Sequence, residues 1–275
     1  MNNKQGVEIL DLKLSAESFA QIPDWNSRIW RYMDLAKFVS LLQNGALYFP
    51  VVAELGDDLE GTPPRVPSGN ALQELSAFSA WSVNRCITFA SCWHLGEDES
   101  AAMWAIYAGR QQGIAIQSTL DALKKAFPPA AREDLRETLK IGLVEYIDPD
   151  LEVTPPHITN LYADVLRKRH WYAYEKEVRV ICSPPDNWVG PVSVNEQGRF
   201  RRSGVLVRCN LRELIQQVVV APHAPPYFRP AVSEIFRLFG FDPGSVKPSR
   251  LNETVVAPSL GDVRTALDAV AAKVT

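Results

Sequence analysis

Apolar residues along this chain recur at two spacings, and the spacing separates strands from helices. The run SRIWRYM alternates through Ile29 and Arg31 and is short enough to predict a strand. In the segment LAKFVSLLQN, Leu35, Phe38, Val39 and Leu42 share one face. That predicts a helix capped by Asp34 and closed by Gly45 in the C′ position. ALYFPVV predicts a second strand that ends near Pro50, and GTPPRVPSG (Gly61–Gly69) predicts a loop. A helical segment around Ala71–Trp81 and a buried strand NRCITFASCW come next. GEDESAAMWAIYAGRQQG reads as a helix, with acids in its first turn and Gly113 past its end.

IAIQS predicts a strand, with Thr119 capping the helix LDALKKAF. A helix near Ala131–Leu139, a strand GLVEYI, a helix ITNLYADVLRKRH and a strand VRVICS follow. PVSVNEQGRFRRSGVLVRC predicts a hairpin with its turn near Asn195–Gly198. A strand at Val218–Ala221 and a helix running to Gly240 complete the body. In the tail, Val263, Leu267, Val270 and Val274 lie on one helical stripe. Strands and helices are interspersed without a regular βαβ rhythm, which predicts an α+β fold.

Composition narrows the function classes. The 275 residues carry a net charge of -3, so strong non-specific binding to nucleic acid is not expected, although local basic stretches can still act. Cys86, Cys92, Cys182 and Cys209 show no CxxC spacing, and His94, His157, His170 and His223 form no HxxxH pair. A zinc site is therefore not expected, and scattered thiols suit a reducing cytosol. The N-terminal stretch lacks a signal-peptide core, and no apolar run approaches a membrane span. The expectation is a soluble cytoplasmic protein with no membrane partner.

Three stretches carry candidate chemistry. In IWRY (Ile29–Tyr32), an arginine sits on a strand between aromatics. Its planar fork suits a phosphate or a carboxylate, and pairing with a core acid is the plainer alternative. In ITFASCW (Ile87–Trp93), Ser91 follows an apolar strand, with no GxSxG around it. The nearby Cys92 and His94 would share one strand face, which allows a weak Cys/His thiol reading. In YAYEKEVRVICS (Tyr172–Ser183), Glu175 and Glu177 would share one side of an extended segment. Two carboxylates facing one site can divide the work: one stabilises positive charge, the other orients or deprotonates an acceptor. The alternative has one of them paired with Arg179 and the other solvated.

The order of these motifs resembles the arginine–serine–glutamate class of ADP-ribosyltransferases. The resemblance implies a split mixed sheet flanked by helices in one catalytic domain over residues 28–250. Residues 1–27 would be an N-terminal extension and 251–275 a C-terminal helix. It also implies NAD as the substrate, with Arg31, Ser91 and Glu177 as the triad and Glu175 as the first acid of the ExE motif. The family's Ser-Thr-Ser motif is Ser91-Cys92-Trp93 here. The stretch WRYMDLAKFVSLLQNGALYF is similar to the opening of DarT-like nucleic-acid ADP-ribosyltransferases. Most of the chain resembles a bacterial family of unassigned activity, whose marks here are GDDLEG (Gly56–Gly61), Met103–Ala108 and WYAYEKEVR.

On that resemblance, Arg31, Tyr32 and Ser91 contact NAD, and Glu177 stabilises the oxocarbenium character that develops at the ribose. Trp104 and Tyr107, one turn apart on a helix, are candidates for a nicotinamide wall, with core packing as their alternative. Tyr172, Tyr174 and the basic group Arg199, Arg201 and Arg202 around Phe200 are candidates to hold a macromolecular acceptor, RNA or DNA ahead of protein. A toxin or anti-phage role, with an antitoxin or regulatory partner, is the expectation by analogy. Two readings compete with this one. A metal-dependent nuclease or phosphodiesterase would use Asp57, Glu60, Glu175 and Glu177 as Mg²⁺ ligands. A nucleotide-sensing or interaction module would keep the fold without catalysis.

Overall fold

The computed structural model describes residues 9–10, 12–14, 22, 24–57, 60, 70–109, 111–129, 138–148, 164–182, 203–252 and 264–265. In chain order its main elements are β1 (Ile9–Leu10), β2 (Lys13–Leu14), β3 (Arg28–Asp34), α1 (Leu35–Asn44), β4 (Ala46–Pro50), α2 (Ala71–Ile87), β5 (Phe89–Leu95) and α3 (Ala101–Met103). Next come β6 (Gly113–Thr119), α4 (Leu120–Lys125), β7 (Thr138–Leu143), β8 (Glu145–Ile147), β9 (Arg167–Arg169) and β10 (Glu177–Cys182). The last are β11 (Gly204–Arg208), α5 (Leu211–Leu214), β12 (Gln217–Val220), α6 (Phe228–Leu238) and β13 (Val246–Pro248). Among the described residues, no helix is long and apolar enough to cross a membrane.

The expected α+β class is observed. One eight-stranded sheet runs β13-β12-β6-β3-β5-β10-β7-β2, antiparallel at its centre and parallel at both edges. Small sheets β1-β11-β4 and β8-β9 sit beside it. Side chains alternate along each central strand. Ile29, Met33, Phe89, Trp93, Ile114, Ile116, Val178, Val180 and Val218 enter the large core, with Phe38 of α1, Leu123 of α4 and Phe236 of α6. The opposite face holds Trp30, Tyr32, Ala115 and Val219 with Met103 and Trp104, and, further along, Ala90 and Ile181 under Val165 and Leu166.

The sheet is split between β3 and β5. These strands pair only at Ile29↔Leu95 and Trp30↔His94, whereas β3 stays paired with β6 over its whole length. Beyond Trp30, therefore, β3 and β5 part. Helix α1 behaves as its sequence dictates: the Asp34 side chain accepts from the Lys37 amide at 2.8 Å, and Gly45 adopts φ 58. Thr119 likewise caps α4, accepting from the Ala122 amide.

Four expectations need correction. Asn84–Ile87 belong to α2 rather than to the strand; the Thr88 amide donates to the Asn84 carbonyl at 3.0 Å, and the strand starts at Phe89. GLVEYI is not one strand: β7 and β8 are separate, with Val144 between them. Leu139 and Arg167–Arg169 are strand, not helix, because each finds a sheet partner: Leu14 for Leu139, and β8 for Arg167–Arg169. The MWAIYA segment turns as a π-helix from Trp104 to Ala108 after one turn of α3. Gly113 lies tight under that turn, where a Cβ would come within 2.6 Å of the Ala108 carbonyl. The loop 61–69, the helical readings over 131–137 and 158–163, the first arm and turn of the hairpin, and most of the tail lie outside the described residues.

Removing the Asp34 cap isolates one local contribution. Asp34→Ala is expected to lower stability by about 1 kcal/mol, and Asp34→Asn by much less. Urea denaturation checks this as a shift of the midpoint at constant slope.

Candidate active site

The site is assembled where the sheet parts. On β5 and β10, Cys92 faces Arg179 and His94 faces Glu177 across an antiparallel pair, so all four side chains share one face. Ser91 and Trp93 point to the other face, as does Arg31 on β3. A cavity of about 680 Å³ is lined by residues from both faces: Arg31, Met33 and Leu47 from one, Tyr32, His94 and Glu177 from the other. It occupies the split, and its size is that of a small-molecule site.

Arg31 is half-buried on the cavity wall. It donates one guanidinium arm to the Ser91 hydroxyl and the other to the Tyr48 carbonyl at 2.8 Å, and it lies 5.7 Å from the Trp93 ring. Trp93 Nε1 in turn donates to Ser91 Oγ at 3.2 Å. Burial lowers the guanidinium pKa, yet the group remains a cation. Among the described residues no carboxylate pairs with it, so pairing with a core acid is ruled out there. Ser91 is fully buried behind Arg31 and does not line the cavity.

On the other side stand the acids. Arg179 grips Glu177 with two arms, Nε to Oε1 at 3.0 Å and Nη2 to Oε2 at 2.9 Å, and Lys168 Nζ adds a contact at 3.4 Å. Burial alone pushes the Glu177 pKa up, but Arg179 and Lys168 outweigh it and hold the carboxyl at about 2. Glu175 accepts from Tyr107 Oη at 2.8 Å and from Lys168 Nζ at 2.6 Å. The Tyr107 phenol is pushed up by burial and by Glu175, so it stays a donor. The two acids do converge, but not along an extended segment. Glu175 ends a 3₁₀ turn, and Lys176, at φ 42, reverses the chain between them.

Asp57 and Glu60 are both buried. Arg169 holds Asp57 through Nε at 3.0 Å and Nη2 at 2.5 Å. Arg179 Nη2 reaches Glu60 Oε1, while Glu60 Oε2 has no hydrogen-bond partner. Burial raises the Glu60 pKa even so. Arg179 and Lys168 offset only part of the burial at Glu60, where the neighbouring Glu177 adds to it, whereas at Glu177 they outweigh it.

This arrangement answers the nuclease reading. Asp57, Glu60, Glu175 and Glu177 are each engaged by Arg169, Arg179 or Lys168, and a divalent cation among them would displace or face those charges. Among the described residues no group of three or more ligating side chains is placed to hold a metal ion. The thiol reading fails as well. Burial and the neighbouring Glu177 raise the Cys92 pKa far above its ordinary value, and His94 Nδ1 is engaged with the Glu175 carbonyl at 2.6 Å rather than with the thiol.

Of the other candidates, Tyr32 and Tyr107 line the cavity and Trp104 does not. Trp104 packs at 5.0 Å from Tyr32 in the core and donates to Glu99 at 2.9 Å. Tyr174 is exposed, and Tyr172 is half-buried 4.9 Å from Lys168 Nζ, both on the 3₁₀ turn rather than in an open loop. Arg199, Arg201 and Arg202 lie outside the described residues. Sequence reasoning passed over Lys168, which touches three acids. The signal was the basic triplet Arg167–Arg169 just ahead of two acids, but a helical reading of that segment hid its inward position.

No family model matches the chain, and no curated protein matches it by sequence. Among solved structures it is similar to Thermus sp. 2.9 DarT in complex with carba-NAD+, at 10% identity over 83% of this chain and 98% of that one, with a TM-score of 0.34. The functional reading therefore rests on the geometry of this chain.

The acid cluster has an expected pH signature. The Glu177 pKa is lower folded than unfolded, so its contribution to stability is complete above the unfolded value near 4.5 and is lost as pH falls towards about 2. Arg179→Ala leaves Glu177 and Glu60 buried without their main partner and is expected to cost about 3–5 kcal/mol near pH 7. Urea midpoints of both proteins between pH 3 and 7 check this: their difference should shrink as the pH falls.

Proposed function

We propose that this protein is an NAD-dependent ADP-ribosyltransferase that modifies a macromolecular acceptor, nucleic acid ahead of protein. One observation carries the reading. A single cavity presents a cation with no acid partner, Arg31, on one wall and a carboxylate held ionised, Glu177, on the other. NAD makes both demands: an anionic pyrophosphate to be gripped, and a ribose carbon that becomes cationic as nicotinamide departs.

In this reading Arg31 holds the pyrophosphate, with Ser91 and the Tyr48 carbonyl orienting its fork. The bond between nicotinamide nitrogen and the ribose anomeric carbon breaks, and its electron pair leaves with neutral nicotinamide. Glu177 stabilises the positive charge left on the ribose. The acceptor then bonds to that carbon and releases a proton, which Glu175 receives in this reading. Tyr107 and Lys168 fix the Glu175 carboxylate, and Lys168 and Arg179 fix that of Glu177. Nothing in this sequence of steps calls for a metal ion. The cellular role we propose is that of a bacterial toxin or anti-phage effector kept in check by an antitoxin or regulatory partner.

Nicotinamide release from NAD is the direct test. Glu177→Gln keeps the shape and removes the charge, so the rate should fall at least about 100-fold. A thermal melt run in parallel is needed, because Glu177 is also half of a buried ion pair. Arg31→Lys keeps the charge and loses the fork, so KM for NAD should rise about tenfold while the fold persists. A folded protein that consumes NAD equally well with either change would remove these assignments.

Turnover should also survive EDTA. Labelled NAD followed by separate nuclease and protease digestion identifies the acceptor, with label expected in the nuclease-sensitive fraction. Metal-dependent cleavage of nucleic acid without NAD consumption would restore the nuclease reading, and absence of any turnover would favour the non-catalytic module.

A further inference from the structure

The buried acid cluster holds more carboxylates than cations. Among the described residues Glu60, Glu175 and Glu177 share Lys168 and Arg179, three acids to two bases. With all five groups ionised, one negative charge is left over, and the hydrogen bonds show where it falls. Arg179 grips Glu177 at both oxygens, and Glu175 accepts from Tyr107 at one oxygen and from Lys168 at the other. Glu60 gives Oε1 to Arg179, while its Oε2, fully buried, accepts no hydrogen bond among the described residues. A buried carboxylate oxygen without a donor is costly, and a proton on it removes both the charge and the cost.

Lys168 connects that oxygen to the cavity. Its Nζ lies 2.6 Å from Glu175 Oε2 and 3.6 Å from Glu60 Oε2. Glu175 lines the cavity and Glu60 does not. The longer distance is not a hydrogen bond at rest. Once Glu175 is protonated, the attraction holding Nζ against it weakens, and Nζ is free to move towards Glu60. The other groups facing the cluster offer no resting place for a proton. Glu177 is held at about 2 against its burial by Arg179 and Lys168. The Cys92 thiol and the Tyr107 and Tyr146 phenols are pushed up by burial and stay protonated. His94 is pushed down by burial and its Nδ1 is engaged with the Glu175 carbonyl. Tyr172 offers Lys168 the face of its ring. At Glu60, by contrast, burial raises the pKa, and Arg179 and Lys168 offset only part of the rise.

We infer that Glu60 stores the proton released by the acceptor, handed on from Glu175 through Lys168. The inference rests on the transferase reading for the origin of that proton. The bond between the acceptor's attacking atom and its hydrogen breaks, and the proton joins the Glu175 carboxylate. Glu175 then gives a proton to Lys168 Nζ as Nζ gives one to Glu60 Oε2. An ammonium has no lone pair, so it passes one proton on only as it takes another up. Lys168 ends as an ammonium, Glu175 as a carboxylate and Glu60 as a neutral acid, with no electrons exchanged. The proton returns to water by the same path after the product leaves. Glu60 acts only through Lys168, and its role is to clear Glu175 and keep the proton from returning to the new bond.

Two measurements on the full-length protein test this, and the first needs no NAD. Carbon-13 spectra of protein labelled at the glutamate carboxyl carbons, recorded between pH 4 and 8, follow each acid. The Glu60 and Glu175 signals are assigned by their loss in Glu60→Gln and Glu175→Gln, or in the Asp variants where a Gln variant does not fold. Glu60 should take up its proton at a higher pH than Glu175. Protonation of Glu175 first would overturn the store, whether or not NAD is consumed. The second measurement is nicotinamide release from NAD against pH, with water as the acceptor. A store already filled accepts nothing, so wild-type kcat should fall about tenfold per pH unit below the pH at which Glu60 fills. Glu60→Gln should lower kcat at pH 7 at least about tenfold, leave KM for NAD within about twofold, and lose that acid limb. Glu60→Asp still takes a proton and should restore part of both. A Glu60 that only supports the fold would shift the melting temperature and leave the acid limb in place. A folded Glu60→Gln protein with unchanged kcat and acid limb would overturn the inference and leave the transferase reading standing. Glu60 filling first in a wild type that consumes no NAD would support the proton site and remove the transferase.

Discussion

The structure depends on a buried cluster of opposite charges: Lys168 and Arg179 between Glu60, Glu175 and Glu177. Moving any one of these groups out of water costs several kcal/mol, and an isolated ion pair rarely offsets that. Here each cation is shared. Arg179 contacts Glu177, Glu60 and the Val165 carbonyl, and Lys168 contacts three acids and the face of Tyr172. The cluster ties Glu60, β9, the 3₁₀ turn and β10 into one unit. The same contacts that hold these segments together hold Glu177 ionised at the cavity wall. The contacts that stabilise the fold and those that set the charge of Glu177 are therefore the same.

The split between β3 and β5 is the second constraint. A closed sheet would have buried Arg31 against Trp93 with no room for a ligand. Instead the strands part after Trp30, Arg31 is braced by Ser91 and Tyr48, and the opening is lined from both faces of the sheet. A cation from one face and a carboxylate from the other thereby reach the same space. The π-turn after α3 adds the last piece: it keeps Trp104 in the core while directing Tyr107 to Glu175. Wide turns of this kind recur where a helix must present a functional side chain out of its normal phase.

Local rules made much of the fold legible in advance. The cap at Asp34, the C′ glycine at 45, the cap at Thr119 and the strands around Arg31 and after Glu177 all follow from propensity, periodicity and capping. Those signals act within a few residues and are complete in the sequence. The segment at Arg167–Arg169 misled because its polarity suggests an exposed helix. It became a strand by pairing with Glu145–Ile147, far away in the chain. No local rule anticipates that partner.

The residue types at the site were likewise present in the sequence: an arginine between aromatics, a serine in an apolar run, and two glutamates one residue apart. What the sequence by itself determined was this inventory and the elements that carry it. Only the tertiary structure decided which charges pair. It gave Arg179 to Glu177 and Glu60, Arg169 to Asp57, and left Arg31 facing a cavity with no acid beside it. It also turned Trp104 into the core and brought Lys168 inward. The physical reason is that pairing energy depends on distance and burial. Both are set by how segments distant in the chain come together, 119 residues apart for Glu60 and Arg179.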